Sequence, residues 1–287
     1  MGVYRAILII LALIPAVALC IYVYKKDRVE KEPIGLLLCL LILGAGTCIP
    51  GAEIESFLAD KMHEIFRHIG TNEGGVIYLG SFWYRVYALI DNFINVALVE
   101  EGLKFLVLLF VTKGNKNFNS MFDGMIYAIF VSIGFAAYEN VGYALDYGFD
   151  TALGRAFTAV PGHMFFAVIM GYYYSYWHLF TKVASVERDL QERDLISMDY
   201  KPKKTGTLLA RALIMPVLAH GFYDYCLFID STVALLAFNV FLMLMYFHCF
   251  AKIRKFSAKD NYTNNLAISM IVRKHPQTEE YFNEINN

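Results

Sequence analysis

The sequence predicts an all-α fold, a polytopic membrane helix bundle of about seven transmembrane helices with an amphipathic helix on its outer surface. Of the 287 residues, 57% are hydrophobic and 18% are charged. The mean hydropathy of +0.46 is too high for an ordinary soluble domain. Seven apolar stretches reach or approach the length that crosses a bilayer. Lysine and arginine collect in the loops on one side of them.

Composition also excludes several classes of protein. The 25 lysines and arginines nearly balance the 26 aspartates and glutamates, so the net charge gives no reason to expect a nucleic-acid partner. The five cysteines lack CxxC spacing and lie in or beside apolar runs, which disfavours a disulfide framework and a thiolate zinc site. They are Cys20, Cys39, Cys48, Cys226 and Cys249.

Each predicted span is an apolar run, because a helix satisfies its own backbone groups where no water is available. The first run has only Arg5 before it and no clear cleavage site, so we interpret it as a mature span. An uncleaved signal-like anchor is the alternative. The seven spans lie near residues 3–24, 34–50, 84–111, 121–146, 155–180, 207–229 and 232–250.

The loop charges predict an orientation. One side carries 18 lysines and arginines, and the other side carries 5. Because positive residues are retained in the cytoplasm, the N-terminus is predicted to lie outside. Residues 1–250 then form a single transmembrane bundle, and residues 251–287 form a polar, marginally ordered cytoplasmic tail.

Segment 52–69 has apolar residues at helical spacing with acidic residues between them. This pattern predicts a helix that either lies on the outer membrane surface or packs on the other outer loops.

The third span contains a charged cluster, Glu100, Glu101 and Lys104. Helical spacing places Lys104 within reach of either carboxylate. A structural ion pair would explain one glutamate. The second leaves an excess negative charge that must be protonated, bind a cation or pair with histidine.

The fourth span contains Glu139 and Asn140, polar groups that are costly in a membrane and therefore indicate function. Asp123, near its cytoplasmic end, is interpreted as a helix cap. Small residues recur every four positions and predict close approach of another helix. They are Gly124, Ala128, Ser132 and Ala136, followed in the same register by Asn140.

Histidines mark the next two spans. His163 begins a four-residue stripe that continues through Ala167 to Gly171. His220 and Asp224 are i and i+4 on one face of the sixth span, so the carboxylate can orient the imidazole, or both can face one ligand. The predicted topology places most of these groups in the outer third of the membrane. We therefore predict one polar site, opening to the extracytoplasmic side, in a catalytic core at about 84–229.

These groups are the parts of a hydrolase that activates water, and two versions stay open. In the metal-free version Glu100 or Glu101 deprotonates the water, helped by His163, while His220 with Asp224 stabilises the oxyanion. In the metal-assisted version His163, His220 and one carboxylate, taken as Glu101, hold Zn²⁺ and the remaining glutamate is the base.

The ordered set resembles the four motifs of the PrsW family of membrane-embedded proteases over about residues 99–225. That family is similar in turn to the prenyl-protein (CAAX) endopeptidases. The motif positions are Glu100, Glu101 and Lys104; Phe122, Asp123, Gly134, Phe135, Ala136, Glu139 and Asn140; His163 and Gly171; and His220 with Asp224.

The resemblance implies a protease of the bacterial cytoplasmic membrane. It implies that the enzyme makes the first, extracytoplasmic cut in a membrane-anchored anti-sigma factor during a stress response. In the prenyl-protease relatives the last motif usually ends in Asn, whereas this chain has Asp224, so a simple neutral amide donor is not expected there.

Two other classes of protein also place charged groups in a membrane cavity. An ion- or proton-coupled transporter is the main alternative, but it would normally show repeated halves, and no internal repeat is found. A seven-span receptor would have a ligand pocket, but it gives no reason for a pair of glutamates facing histidines.

Overall fold

The structure is a computed structural model that describes residues 2–73 and 76–286. The described chain is almost entirely helical. Its helices are α1 Gly2–Lys26, α2 Ile34–Gly46, α3 Cys48–Arg67, α4 Ser81–Ile90, α5 Leu98–Thr112, α6 Asp123–Tyr147, α7 Phe149–Phe157, α8 Ala159–Glu192, α9 Gly206–Phe228, α10 Thr232–Ala258, α11 Thr263–Lys274 and α12 Glu279–Asn286. Two short antiparallel strands, β1 Thr71–Glu73 and β2 Val76–Tyr78, connect α3 to α4.

Six helical stretches in the described chain are long and apolar enough to cross a membrane. They are α1, α2 with α3, α6, α7 with α8, α9 and α10. This confirms the predicted all-α polytopic bundle.

The predicted third span, 84–111, differs from the other six. It consists of α4, a π-helical segment Asp91–Ala97 and α5 in direct succession. The wider turn of a π-helix interrupts the α-helical register, and such segments are frequent at functional sites.

Helix α6 is the centre of the bundle, and all of its first fifteen residues are buried. Its apolar residues surround the whole helix, which is the pattern of a buried helix rather than a surface one. Close crossings need glycine: a Cβ on Gly134 would lie 2.0 Å from the carbonyl oxygen of Leu41 in α2, and one on Gly171 of α8 would lie 2.5 Å from Cα of Met125. The small residues of α6 and α8 therefore pack helices closely, as predicted.

Helix α3 covers the predicted amphipathic segment and follows α2 after a turn at Thr47. Met62 and Phe66 are buried, and the Phe66 ring packs edge-on against Tyr87 of α4. Phe57 remains exposed. One face of α3 thus packs on α4, while the position of α3 on the outer membrane surface stays a prediction.

The prediction of a marginally ordered tail is wrong. Helix α8 continues to Glu192 instead of ending near residue 180, and α11 packs on this extension. The buried carboxylate of Glu187 accepts hydrogen bonds from the Tyr200 hydroxyl at 2.9 Å and the Lys274 ammonium at 3.1 Å. The polar composition of residues 251–287 does not indicate packed helices, because only a narrow face of each helix is apolar.

Candidate active site

A cavity of about 520 Å³ lies between α3, the π-helical segment and the adjoining ends of α5, α6, α8 and α9. Glu100, Glu139, His163, His220 and Asp224 line it. Charged and imidazole groups predicted to lie on four separate spans therefore meet at one place.

The two glutamates of α5 share one lysine. The Lys104 Nζ donates hydrogen bonds to Glu100 Oε2 at 3.0 Å and to Glu101 Oε1 at 2.8 Å. It also lies 3.8 Å from the ring centre of Phe135. All three charged residues are buried, and Glu101 is fully so, at 0% exposure. Glu100 borders the cavity, whereas Glu101 lies behind it.

The imidazole of His220 is held at both ring nitrogens. Its Nδ1 lies 3.0 Å from Glu101 Oε1, and its Nε2 lies 3.0 Å from Asp224 Oδ2 and 4.0 Å from Glu100 Oε2. The Phe166 ring stacks on it with centres 4.7 Å apart. Asp224 thus contacts the ring from the same helix, which is one of the two arrangements that the i, i+4 spacing allows.

His163 connects the lysine to a second acidic group. Its Nδ1 lies 3.2 Å from Lys104 Nζ, and its Nε2 lies 3.0 Å from Glu139 Oε2. A neutral ring protonated at Nε2 satisfies both contacts. Arg155 Nη2 lies 2.7 Å from the same Glu139 oxygen, and its guanidinium lies over the Tyr143 ring.

Two predicted polar residues of α6 lie away from this cavity. Asn140 is buried and donates a hydrogen bond from Nδ2 to the carbonyl oxygen of Ala12 in α1, at 2.9 Å. The structure thus places Asn140 at a helix contact and not among the groups that line the cavity. Asp123 Oδ2 accepts hydrogen bonds from the backbone N–H groups of Asn119 and Ser120, so it orders the loop before α6 rather than capping the helix.

Sequence reasoning missed two charged residues that line the cavity, Arg155 and Glu55. Arg155 is one of the five lysines and arginines on the less positive side, and Glu55 is one of the acidic residues in segment 52–69. The excess of predicted acids calls for a cation near Glu139 and could have indicated Arg155, whereas no sequence signal indicates Glu55.

The residues present fit a divalent cation. One ligand atom from each of Glu100, Glu101, His163 and His220 lies within 4.8 Å of the others. Glu101 Oε2 is buried without a hydrogen-bond partner in the described part of the chain. Two imidazoles and two carboxylates form a donor set that suits Zn²⁺.

Charge in and behind the cavity also favours a cation. The fixed positive charges there are those of Lys104 and Arg155, and the acids outnumber them. These acids are Glu55, Glu100, Glu101, Glu139 and Asp224. Such an excess of negative charge on buried and half-buried groups is stabilised by a bound cation or by protons.

A multi-pass helix bundle in which acids and imidazoles surround one cavity defines a membrane-embedded hydrolase. Comparison with known proteins makes this specific. Residues 32–251 match the model of the PrsW family intramembrane metalloprotease, and the chain belongs to this family. It is an intramembrane protease, and the match does not support the transporter alternative.

Several bacterial relatives named Protease PrsW are similar over most of the chain. The protein of Oceanobacillus iheyensis is 30% identical over 233 residues, which are 80% of this chain and 88% of the relative. That of Clostridioides difficile is 27% identical over 243 residues, 83% and 87% of the two chains. That of Bacillus subtilis is 29% identical over 213 residues, 74% and 79%. No solved structure matches the chain.

Proposed function

We propose that this protease cuts a peptide bond in the extracytoplasmic or juxtamembrane part of a membrane-anchored protein. The proposed substrate is an anti-sigma factor, in which this would be the first cut, at the bacterial cytoplasmic membrane. The observation that carries the chemistry is the meeting of Glu100, Glu101, His163 and His220 beside one cavity. The substrate comes from the family resemblance.

Loop charges support the extracytoplasmic position of the cavity. Glu139 lies toward the end of α6, His163 at the beginning of α8 and Asp224 near the end of α9. The loops at the opposite ends of these helices, residues 113–122 and 193–205, carry lysines and an arginine. Positive loops are retained in the cytoplasm, and this rule supports a cavity on the extracytoplasmic side.

We assign the general base to Glu100, because it borders the cavity while Glu101 is enclosed behind it. In this assignment Glu100 accepts a proton from the attacking water. Glu101 holds His220 in place from Nδ1, and Asp224 holds it from Nε2. In this assignment the imidazole carries a proton on each nitrogen, and its positive charge stabilises the negative charge on the tetrahedral intermediate.

His163, His220 and Glu101 would hold Zn²⁺, which supplies Lewis-acid polarisation when bound. Lys104 lies among the same groups, 2.8 to 3.2 Å from Glu101, Glu100 and His163. The ammonium and a metal ion therefore compete for the same donors. This position of Lys104 is the observation that favours the metal-free version as the second candidate, with the lysine as the resident cation.

The test uses purified protein in proteoliposomes with a single-span anti-sigma factor tagged at both ends. We expect wild-type protein to release a fragment whose mass places the cut on the extracytoplasmic side of the substrate span. His220→Ala removes an imidazole that lines the cavity and should abolish cleavage. His63→Ala, at an exposed histidine of α3, is the matched control and should cleave normally.

A cut in the cytoplasmic half of the substrate would contradict the proposed orientation, and equal cleavage by both variants would contradict the site. An unrelated single-span protein tests the substrate proposal, because it should not be cut. A strong chelator distinguishes the two versions of the chemistry: loss of cleavage that added Zn²⁺ restores supports the metal site, and unchanged cleavage supports the metal-free one.

A further inference from the structure

A second cavity lies at the other end of the bundle, away from the catalytic groups. It measures about 600 Å³ and is formed by Tyr172, Tyr176 and Leu179 of α8 together with the last turns of α10 and the side chain of Leu266 in α11. Its α8 residues are 9 to 16 positions beyond His163, which is about 14 to 24 Å along the helix. We call this cavity the basic groove.

Three lysines give the basic groove a positive charge. Lys252, Lys255 and Lys259 are spaced by three and four residues and all line it, so they occupy one face at the end of α10. No acid lines the groove, and none of the three lysines forms an ion pair within residues 2–73 and 76–286. The neighbouring acid, Asp260, instead accepts hydrogen bonds from the backbone N–H of Phe122 and the Ser120 hydroxyl.

Like charges at these spacings destabilise a helix unless an anion lies between them. Aromatic contact stabilises only part of this charge, since Lys252 Nζ lies 3.9 Å from the ring centre of Tyr172. The residues of the basic groove therefore leave part of the lysines' positive charge without compensation, and this charge borders the open cavity. A ligand with a negative charge would neutralise it.

The lysines are surrounded by apolar side chains and lie at the end of a helix that is long enough to span a membrane. Helix α10 is apolar enough to span a bilayer, and the lysines follow at its end. Leu179, Phe256 and Leu266 line the same groove. Tyrosines such as Tyr172 and Tyr176 are typical of the interface between headgroups and acyl chains.

We propose that the basic groove binds an anionic phospholipid, with the headgroup phosphate among the three lysines and the acyl chains along the apolar wall. Basic pockets between membrane helices recognise headgroups in this way. A free phosphate ion would use the lysines but would leave the apolar wall without a partner, so the groove favours the lipid.

The experiment measures lipid retained by the full-length protein in detergent, by native mass spectrometry, during titration with phosphatidylglycerol or phosphatidylcholine. Wild-type protein should retain phosphatidylglycerol in preference to phosphatidylcholine. Combined Lys252→Gln, Lys255→Gln and Lys259→Gln substitutions should weaken phosphatidylglycerol binding roughly 100-fold, because each lysine near an anionic surface contributes about a fivefold preference. Arginine at the same three positions keeps the charge and should keep binding.

A matched variant removes three exposed positive charges elsewhere, at Lys113, Lys116 and Lys201, by substitution with Gln. It should bind phosphatidylglycerol like wild type. An equal loss in this variant, or equal retention of both lipids by wild type, would overturn the proposal. Inorganic phosphate at the lipid's concentration should not displace it, and displacement would indicate a site for soluble anions instead. The arginine variant and the lipid comparison on wild type decide the question even if the glutamine variant fails to fold.

Discussion

At the scale of single residues, the site is a chain of charged contacts that begins at Arg155 and ends at Asp224. Arg155 contacts Glu139, Glu139 contacts His163, and His163 contacts Lys104. Lys104 joins this chain to Glu101 and so to His220 and Asp224. Each group is oriented by its neighbours, which is the arrangement that catalytic residues need.

The sequence could predict the contacts made within one helix and not those made between helices. The spacing of Glu100, Glu101 and Lys104 placed the lysine within reach of either carboxylate, and the structure has both ion pairs. The spacing of His220 and Asp224 left two arrangements open, and the structure has the one in which the carboxylate contacts the imidazole. Arg155 is separated from Glu139 by the turn between α6 and α7. No helical periodicity extends across such a turn, so spacing alone could not show which acid the arginine meets.

We expect Arg155 to position Glu139 and His163 for the reaction. Arg155→Gln should lower kcat about 10- to 100-fold with little change in KM, because it leaves the Glu139 carboxylate without its cation and frees His163 to move. Arg155→Lys should recover part of the rate. Cleavage kinetics in detergent measure this effect, with Arg85→Gln, at an exposed arginine of α4, as the control. Wild-type kinetics for Arg155→Gln would show that the arginine does not position the site.

At the scale of helices, hydropathy predicted the α-helical spans, but it could not show that the third span contains a π-helical segment. The π-helical segment Asp91–Ala97 lies next to α9, where a Cβ on Gly221 would be 2.6 Å from the Phe93 ring. The segment and α5 place Asn92, Val96 and Glu100 on one wall of the cavity. Hydropathy does not distinguish a π-turn from an α-turn, because both expose and bury similar side chains.

The close crossing of α2 and α6 can be tested by substituting a glycine at the contact. Gly134→Ala should destabilise the protein by about 1–3 kcal/mol, because the new Cβ would meet the Leu41 carbonyl oxygen at 2.0 Å and force the helices apart. Gly142→Ala, on the same helix with nothing within 4 Å, should be neutral or stabilise by about 0.5–1 kcal/mol. Thermal unfolding in detergent compares the two. Equal midpoints would mean that α2 and α6 do not pack this closely.

At the scale of the whole molecule, the two ends of the bundle differ in charge. Acids predominate around the cavity of the candidate active site at one end, and lysines without an ion pair in the described part of the chain line the basic groove at the other. Composition gave no sign of this separation, because the acids and bases nearly cancel over the chain, 26 against 25. Only the loop charges indicated it. The loop charges also predict that the cavity faces the extracytoplasmic side, and this orientation has still to be tested.

The most direct measurement is the cleavage rate of Glu101→Gln compared with that of Glu64→Gln, which changes an exposed glutamate of α3. Glu101 contacts both Lys104 and His220. Its neutral replacement should therefore lower the rate at least 100-fold while the protein still inserts into the membrane. Glu64→Gln should cleave at the wild-type rate. Normal cleavage by a correctly inserted Glu101→Gln variant would contradict the assignment of hydrolysis to these converging acids and imidazoles.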